Sequence, residues 1–341
     1  MTSRRGLLFG TLAAIHALIL FAGFFAPYDP AEQARVIPYA PPSRVHFVDV
    51  EGRFHWRPFV YAWTPDPAAY DRYLEDPTSR FPLQLFVRGA EYSVVPGIVT
   101  NVHLFGVAGP ARVALLGTDG YGRDVLSRLL HGGRLSLIAG LLATVCSLIA
   151  AALIGTLAGF SGGTVDQILM RTADLFMAIP WLYLLFAVRA ALPLQMDARD
   201  TFLLLVVVLG VIGWARPARL IRGIVLSARE RTYVLAARGF GAPRRYLLRR
   251  HVLPQTAGAM LTQAALLVPH YVLAEVTLSF LGLGVGEPVP SWGNMLGALQ
   301  QYHVLTSYWW MFAPAVALIV VTFGYHLLTS YVHERMRVVA I

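Results

Sequence analysis

The stretch Tyr233-Val-Leu-Ala-Ala-Arg-Gly-Phe-Gly-Ala-Pro-Arg-Arg-Tyr-Leu-Leu-Arg-Arg-His-Val-Leu-Pro254 separates two long apolar segments and governs how the rest of the chain is read. Tyr233, Ala236, Ala237 and Phe240 fall at i, i+3, i+4 and i+7, the spacing that puts side chains on one face of a short helix. Gly239, Gly241 and Pro243 interrupt that helix, with Arg238 and Ala242 beside the break. Pro243 is suited to open a second helix, which carries Arg244, Arg245, Arg249 and Arg250 toward the next apolar run. A knob of helix held between hydrophobic segments and ringed by positive charge is a part suited to fit into another protein.

Working outward, 56% of the 341 residues are hydrophobic and 14% are charged, against roughly a quarter charged in soluble proteins. A helix needs about 20 apolar residues to cross a bilayer. Six runs qualify, at 7–26, 135–158, 168–190, 202–215 (with an extension at one or both ends), 256–281 and 307–332. These predict an all-α polytopic membrane protein with six transmembrane helices. Arg4 and Arg5 before the first run have the look of an export signal, but Phe24-Phe25-Ala26 offers only one small residue for a cleavage site, and the run reads as a retained anchor.

Arginine placement sets the orientation. Arg4 and Arg5 precede the first run, ten arginines crowd 216–250, and Arg335 and Arg337 follow the last. With an even number of spans, both termini and the loop 216–255 lie on the cytoplasmic side. The formal charge of +9 is therefore a topology signal and not a nucleic-acid footprint. The chain has no lysine, so it lacks the lysine that a phosphate-cradling P-loop requires. Its one cysteine, Cys146, excludes an intrachain disulfide, and its histidines lack metal-ligand spacing.

Three regions follow: an N-terminal span (1–26), an extracytoplasmic insert (27–133), and a core of five spans (134–341). The insert balances ten arginines against eleven acids. Its dense aromatic and β-branched residues predict a small α+β domain, with a hairpin in which 83–87 and 92–95 flank Arg88-Gly89-Ala90-Glu91. At its end, Thr118 or Asp119 is placed to cap an amphipathic helix lying at the membrane surface. Asp119–Arg123 and Asp124–Arg128 form i, i+4 pairs there. Arg171 and Asp174 are spaced to neutralise each other in the third run, where Pro180 introduces a kink. Glu275 and His270 are ionisable groups within the fifth run, and such groups line a pathway or bond within the bundle.

Two motifs carry a family resemblance. Ala236, Ala237, Gly241, Leu253 and Pro254 match the EAA motif of bacterial ABC-importer permeases, with His251 where an aliphatic residue is usual and Leu235 where the acid stands. Gly117-Thr-Asp-Gly-Tyr-Gly-Arg-Asp-Val-Leu-Ser-Arg128 is similar to a signature of the dipeptide/oligopeptide/nickel branch, matching at Thr118, Asp119, Gly122, Arg123, Asp124, Ser127 and Arg128. Pro290-Ser-Trp-Gly-Asn-Met295 resembles the same branch, and 86–105 looks like its enlarged periplasmic insert.

The resemblance implies a type I importer permease in the bacterial inner membrane, itself not an enzyme and holding no cofactor. ATP and Mg would be bound by two partner ATPase subunits. It further implies a second, related permease subunit, a periplasmic solute-binding protein and a peptide-like substrate. Two alternatives stand beside it. Gly159-Phe-Ser161-Gly162 has the form used by intramembrane serine proteases, and an ion-coupled secondary transporter would share the hydropathy.

Overall fold

The computed structural model describes residues 2–339 except 70, 71, 96, 110, 192, 194 and 195, with side chains also left out at 2–9, 95 and 332–339. The orienting arginines Arg4, Arg5, Arg335 and Arg337 thus have side chains outside the described set. The chain forms two compact units, one of residues 1–9, 137–275 and 321–341, the other of 10–136 and 276–320.

In chain order the elements begin with α1 (Thr2–Leu20) and α2 (Ala22–Phe25), then β1 (His46–Val48), β2 (Phe54–Pro65), β3 (Tyr73–Val95) and β4 (Ile98–Val107). Next come α3 (Val125–Ser161), α4 (Gly163–Ala178), α5 (Trp181–Ala190), α6 (Ala198–Gly213), α7 (Ala215–Arg229) and α8 (Thr232–Gly239). After α9 (Arg244–Tyr246) and a π-helical turn (Leu247–Val252) follow α10 (Leu253–Phe280), α11 (Trp292–Gly297), α12 (Tyr302–Ser307) and α13 (Ala313–Val339).

Among the described residues three helices are long and apolar enough to cross a membrane, or five if each of two bent pairs counts as one span. Six were expected. The remaining expected run, at 7–26, falls on α1 (Thr2–Leu20), of which Gly10–Leu20 is the apolar part with described side chains. The kink expected at Pro180 is a break: α4 and α5 meet at 87°. Ile179 and Pro180 are extended, with ψ of 127° and 122°, because proline disfavours a helical conformation in the residue before it. The α6–α7 bend of 43° lies just before Pro217, which has no N–H to give the carbonyl of Gly213.

In the first unit α3 packs on α7 through Gly155 and Gly159. A Cβ on Gly155 would stand 2.5 Å from the Ala218 carbonyl oxygen, and one on Gly159 would stand 2.9 Å from that of Arg222. Small residues four apart let helix backbones approach where lipid gives no hydrophobic drive. Ile221, Val225, Ala228 and Val252 fill the adjoining core.

The insert in the second unit is an antiparallel four-stranded meander of order β1-β2-β3-β4, with no helix between residues 27 and 124 among the described residues. Within the expected bounds 27–133 the one helical stretch among the described residues is thus the start of α3 at Val125, and the sheet has no helix of its own. The expected turn at Arg88-Gly89-Ala90-Glu91 is a bulge inside β3, where the register slips between Arg88 and Tyr92. The chain instead reverses near Gly97, at φ +93°.

Candidate functional site

The knob is built on α8. Val234 is buried, while Tyr233, Leu235 and Ala236 are exposed and Ala237 is half-buried. Phe240 is 93% exposed. The helix ends in a Schellman closure: Gly241 N–H donates to the Arg238 carbonyl at 3.0 Å and Ala242 N–H to the Ala237 carbonyl at 3.1 Å. Gly241 takes φ +83° to make it, a conformation that disfavours any side chain. Pro243 is the residue just before α9 and not its first, with ψ 151°.

From Arg244 to Phe280 the helix is continuous, so His251 and Pro254 lie inside it. The π turn immediately before Pro254 widens the backbone where the proline removes a helical hydrogen bond. The His251 ring sits 5.8 Å from that of Tyr233 and 5.5 Å from that of Tyr246. Gln255 ties the two arms together, donating through Nε2 to Tyr233 Oη and to the His251 carbonyl at 3.1 Å. Sequence reasoning missed Gln255, although it lies one helical turn beyond His251.

Charge is distributed unevenly along this unit. Asp166 accepts from Arg222 at two contacts of 2.5 Å, Asp174 pairs with Arg219 and Glu230 with Arg229 at 3.1 Å. The expected Arg171–Asp174 pair does not form among the described residues, because Arg219 on α7 takes that carboxylate. Arg231, Arg238, Arg244, Arg245, Arg249 and Arg250 are exposed around the knob and make no ion pair among the described residues.

The signature 117–128 behaves in the opposite way. No helix starts at Thr118 or Asp119. Residues 117–124 instead form a tight hairpin bridged at Thr118 and Asp124, and α3 starts at Val125. Asp119 Oδ1 accepts from the N–H groups of Tyr121 and Arg123 at 2.9 and 3.0 Å, and these short-range bonds out-compete a helical start. Gly122 has φ +72°, and a Cβ there would stand 1.9 Å from the Ala34 carbonyl oxygen.

Asp124 is the residue that caps α3. Its Oδ2 accepts from the Ser127 N–H and Oγ at 2.7 and 2.6 Å, while its Oδ1 is buried without a hydrogen-bond partner. Burial pushes the Asp124 carboxyl up to about 6. With Asp124 committed to the cap, Arg128 turns elsewhere than the expected i, i+4 pair. Arg128 Nη2 donates to Glu287 Oε1 at 2.8 Å and Arg123 Nη1 to Glu287 Oε2 at 2.6 Å. Arg123 also meets Asp119 at 2.7 Å, as the i, i+4 spacing anticipates. Arg123 and Arg128 are 6% and 2% exposed, so both arginines are buried and do not form a solvated surface stripe. Glu287 carried no sequence signal.

The two pathway residues separate. His270 lines a cavity of about 530 Å³ together with Trp181 and Arg216, whereas Glu275 is fully buried and does not line it. The Gly159–Gly162 tetrapeptide is a helix ending. Gly159 presses on α7, its carbonyl accepts from Arg229 Nη1 at 3.1 Å, and Ser161 is exposed as the last residue of α3, a poor setting for a nucleophile and its oxyanion site.

Helices long and apolar enough to cross a bilayer, with an exposed basic knob between two of them, mark a membrane protein. Residues 151–338 match the family described as "Binding-protein-dependent transport system inner membrane component", and the chain belongs to it. The oligopeptide transport system permease protein OppC of Bacillus subtilis is 35% identical over 67% of this chain and 72% of its own length. The di/tripeptide transport system permease protein DppC of Pseudomonas aeruginosa is 33% identical over 90% of this chain and 77% of its own. Within the family the chain is an ABC-importer permease of the dipeptide/oligopeptide group. A solved chain of the MetNI methionine ABC transporter, in an inward-facing conformation, aligns at 16% identity with a TM-score of 0.47, covering 61% of this chain and 95% of that one.

Proposed function

We propose that this permease carries peptides, and that it takes its energy mechanically from separate ATPases through the knob 233–245. Two ATPase subunits bind ATP and Mg, a second related permease completes the pathway, and a periplasmic solute-binding protein delivers cargo. In this reading α1 is a sixth span, and both termini and the knob face the cytoplasm. The single observation that carries the coupling is Phe240, almost wholly exposed at the tip of a closed helix among six arginines free of ion pairs with described residues. A bare aromatic on a rigid element is what a binding hot spot requires. The surrounding charge favours an acidic cleft through electrostatic complementarity.

Movement of the ATPases then reaches the bundle through the continuous helix that begins at Arg244, with Tyr233, Gln255 and His251 keeping knob and helix together. The testing experiment is reconstitution in vesicles. Peptide uptake is expected only with ATP, the ATPases and the binding protein all present. Uptake by the permease pair alone, or uptake driven by a proton gradient, contradicts the proposal. Ser161→Ala leaves uptake unchanged in this account, whereas a serine protease would lose its activity.

A further inference from the structure

Arginines recur at every third residue along the start of α7, at Arg216, Arg219 and Arg222. The antiparallel helix α4 answers the last two in order, Asp166 with Arg222 and Asp174 with Arg219. Continuing that ladder would demand a third acid near residue 180. Instead α4 ends at Ala178 and the chain breaks away at Pro180 through 87°. In place of a third rung stands the cavity of about 530 Å³, lined by Arg216, His270, Gln263, Phe176, Trp181 and Tyr271 among others.

No acid lines this cavity among the described residues. Arg216 is exposed and makes no ion pair among them. Arg216 opens the loop 216–255 read as cytoplasmic, which puts it at the inner mouth of the cavity, where a cation meets water or a counter-charge. The lining pairs aromatic and aliphatic walls with a few polar groups, and its volume falls in the range of small-molecule sites.

We infer that Arg216 is the receiving group for a carboxylate of the passing cargo. The third rung of the ladder is completed by the C-terminal carboxylate of a short peptide. A planar guanidinium donates two parallel hydrogen bonds to that group, while Phe176 and Trp181 contact the peptide's side chains and Gln263 its backbone amides. With positive charge and no acid in the lining, the site disfavours cargo of net positive charge. This inference rests on the peptide-importer reading and deepens it.

The test uses the assembled importer in vesicles, with the binding protein saturated either by Ala-Ala-Ala or by its C-terminal amide and saturation measured separately. The readout is the ratio of acid to amide uptake. Loss of one charge-assisted contact is worth about tenfold, so the wild type should show a ratio of about ten. Arg216→Gln should bring it to about one, and Arg216→Lys should hold it between. A wild-type ratio of about one overturns the inference. So does an Arg216→Gln ratio equal to the wild type's at a lower absolute rate, which assigns Arg216 to packing or to an acid of the neighbouring subunit. Absence of ATP-dependent uptake by the wild type overturns the peptide-importer reading and this inference with it.

Discussion

Around Phe240, six arginines stand in solvent and meet no acid among the described residues. At Arg123 and Arg128 the guanidinium groups are buried and engage Asp119 and Glu287 from within the same unit. The sequence patterns are alike, with arginines at helical spacing beside glycines in both. The difference is that one set satisfies its charge internally and the other leaves it for something outside. Desolvated charge without a partner is expensive, so the buried set locks a loop to its surroundings. Exposed charge is worth little to stability, so the knob is free to serve a partner.

The sharpest way to break the comparison is at Glu287. Glu287→Ala leaves two buried arginines with Asp119 as their one acid among the described residues and, for Arg128, the Pro30 carbonyl. Because Glu287 is half-exposed, the expected loss is about 2–3 kcal/mol, below that of a fully buried pair, seen as a lower thermal midpoint in detergent. Equal stability would show that the cluster is no lock. At the knob the expectation reverses. Phe240→Asp should leave the midpoint unchanged and lower ATP-driven uptake by about thirtyfold, the scale of one interface hot spot. A drop in stability without a change in coupling would make the knob structural.

A third prediction sharpens the buried side through pH. Asp124 has a folded pKa of about 6, above its unfolded value, so the native state binds the extra proton and stability rises as pH falls from 7 through 6. The gain by pH 5 is about 1 kcal/mol. Asp124→Asn keeps the cap to Ser127 and should flatten that rise. A wild-type midpoint that falls over the same interval contradicts the assignment. The smallest effect is on the knob's inner support. Gln255→Leu removes the tie to Tyr233 and should lower uptake per ATP hydrolysed by about threefold while the ATPases still co-purify. An unchanged ratio would remove Gln255 from the coupling path.

Much of this was legible because it depends on local chemistry. Gly241 and Pro243 announce the end of one helix and the start of the next, and Pro180 announces a bend. What escaped was non-local. Gly89 suggested a turn, but it is there for close approach, since a Cβ would stand 2.8 Å from the His103 ring. The pair Asp124–Arg128 satisfied the helical rule, yet Asp124 lies outside the helix as its cap, and Arg128 found Glu287, which is 159 residues away in sequence. Asp174 likewise chose Arg219 over a residue on its own helix, because packing of α4 on α7 brought a better-placed guanidinium. Periodicity reports faces, and only the fold decides which faces meet.

The central claim is that a separate ATPase grips the knob at Phe240. It is tested most directly by placing a photo-crosslinking side chain at position 240 in otherwise intact membranes and identifying the adduct by mass. The account predicts a covalent product with the ATPase subunit, obtained at 240 and absent when the same group replaces Tyr302. Crosslinking of 240 to lipid or to the second permease, with no ATPase adduct while uptake persists, would contradict it.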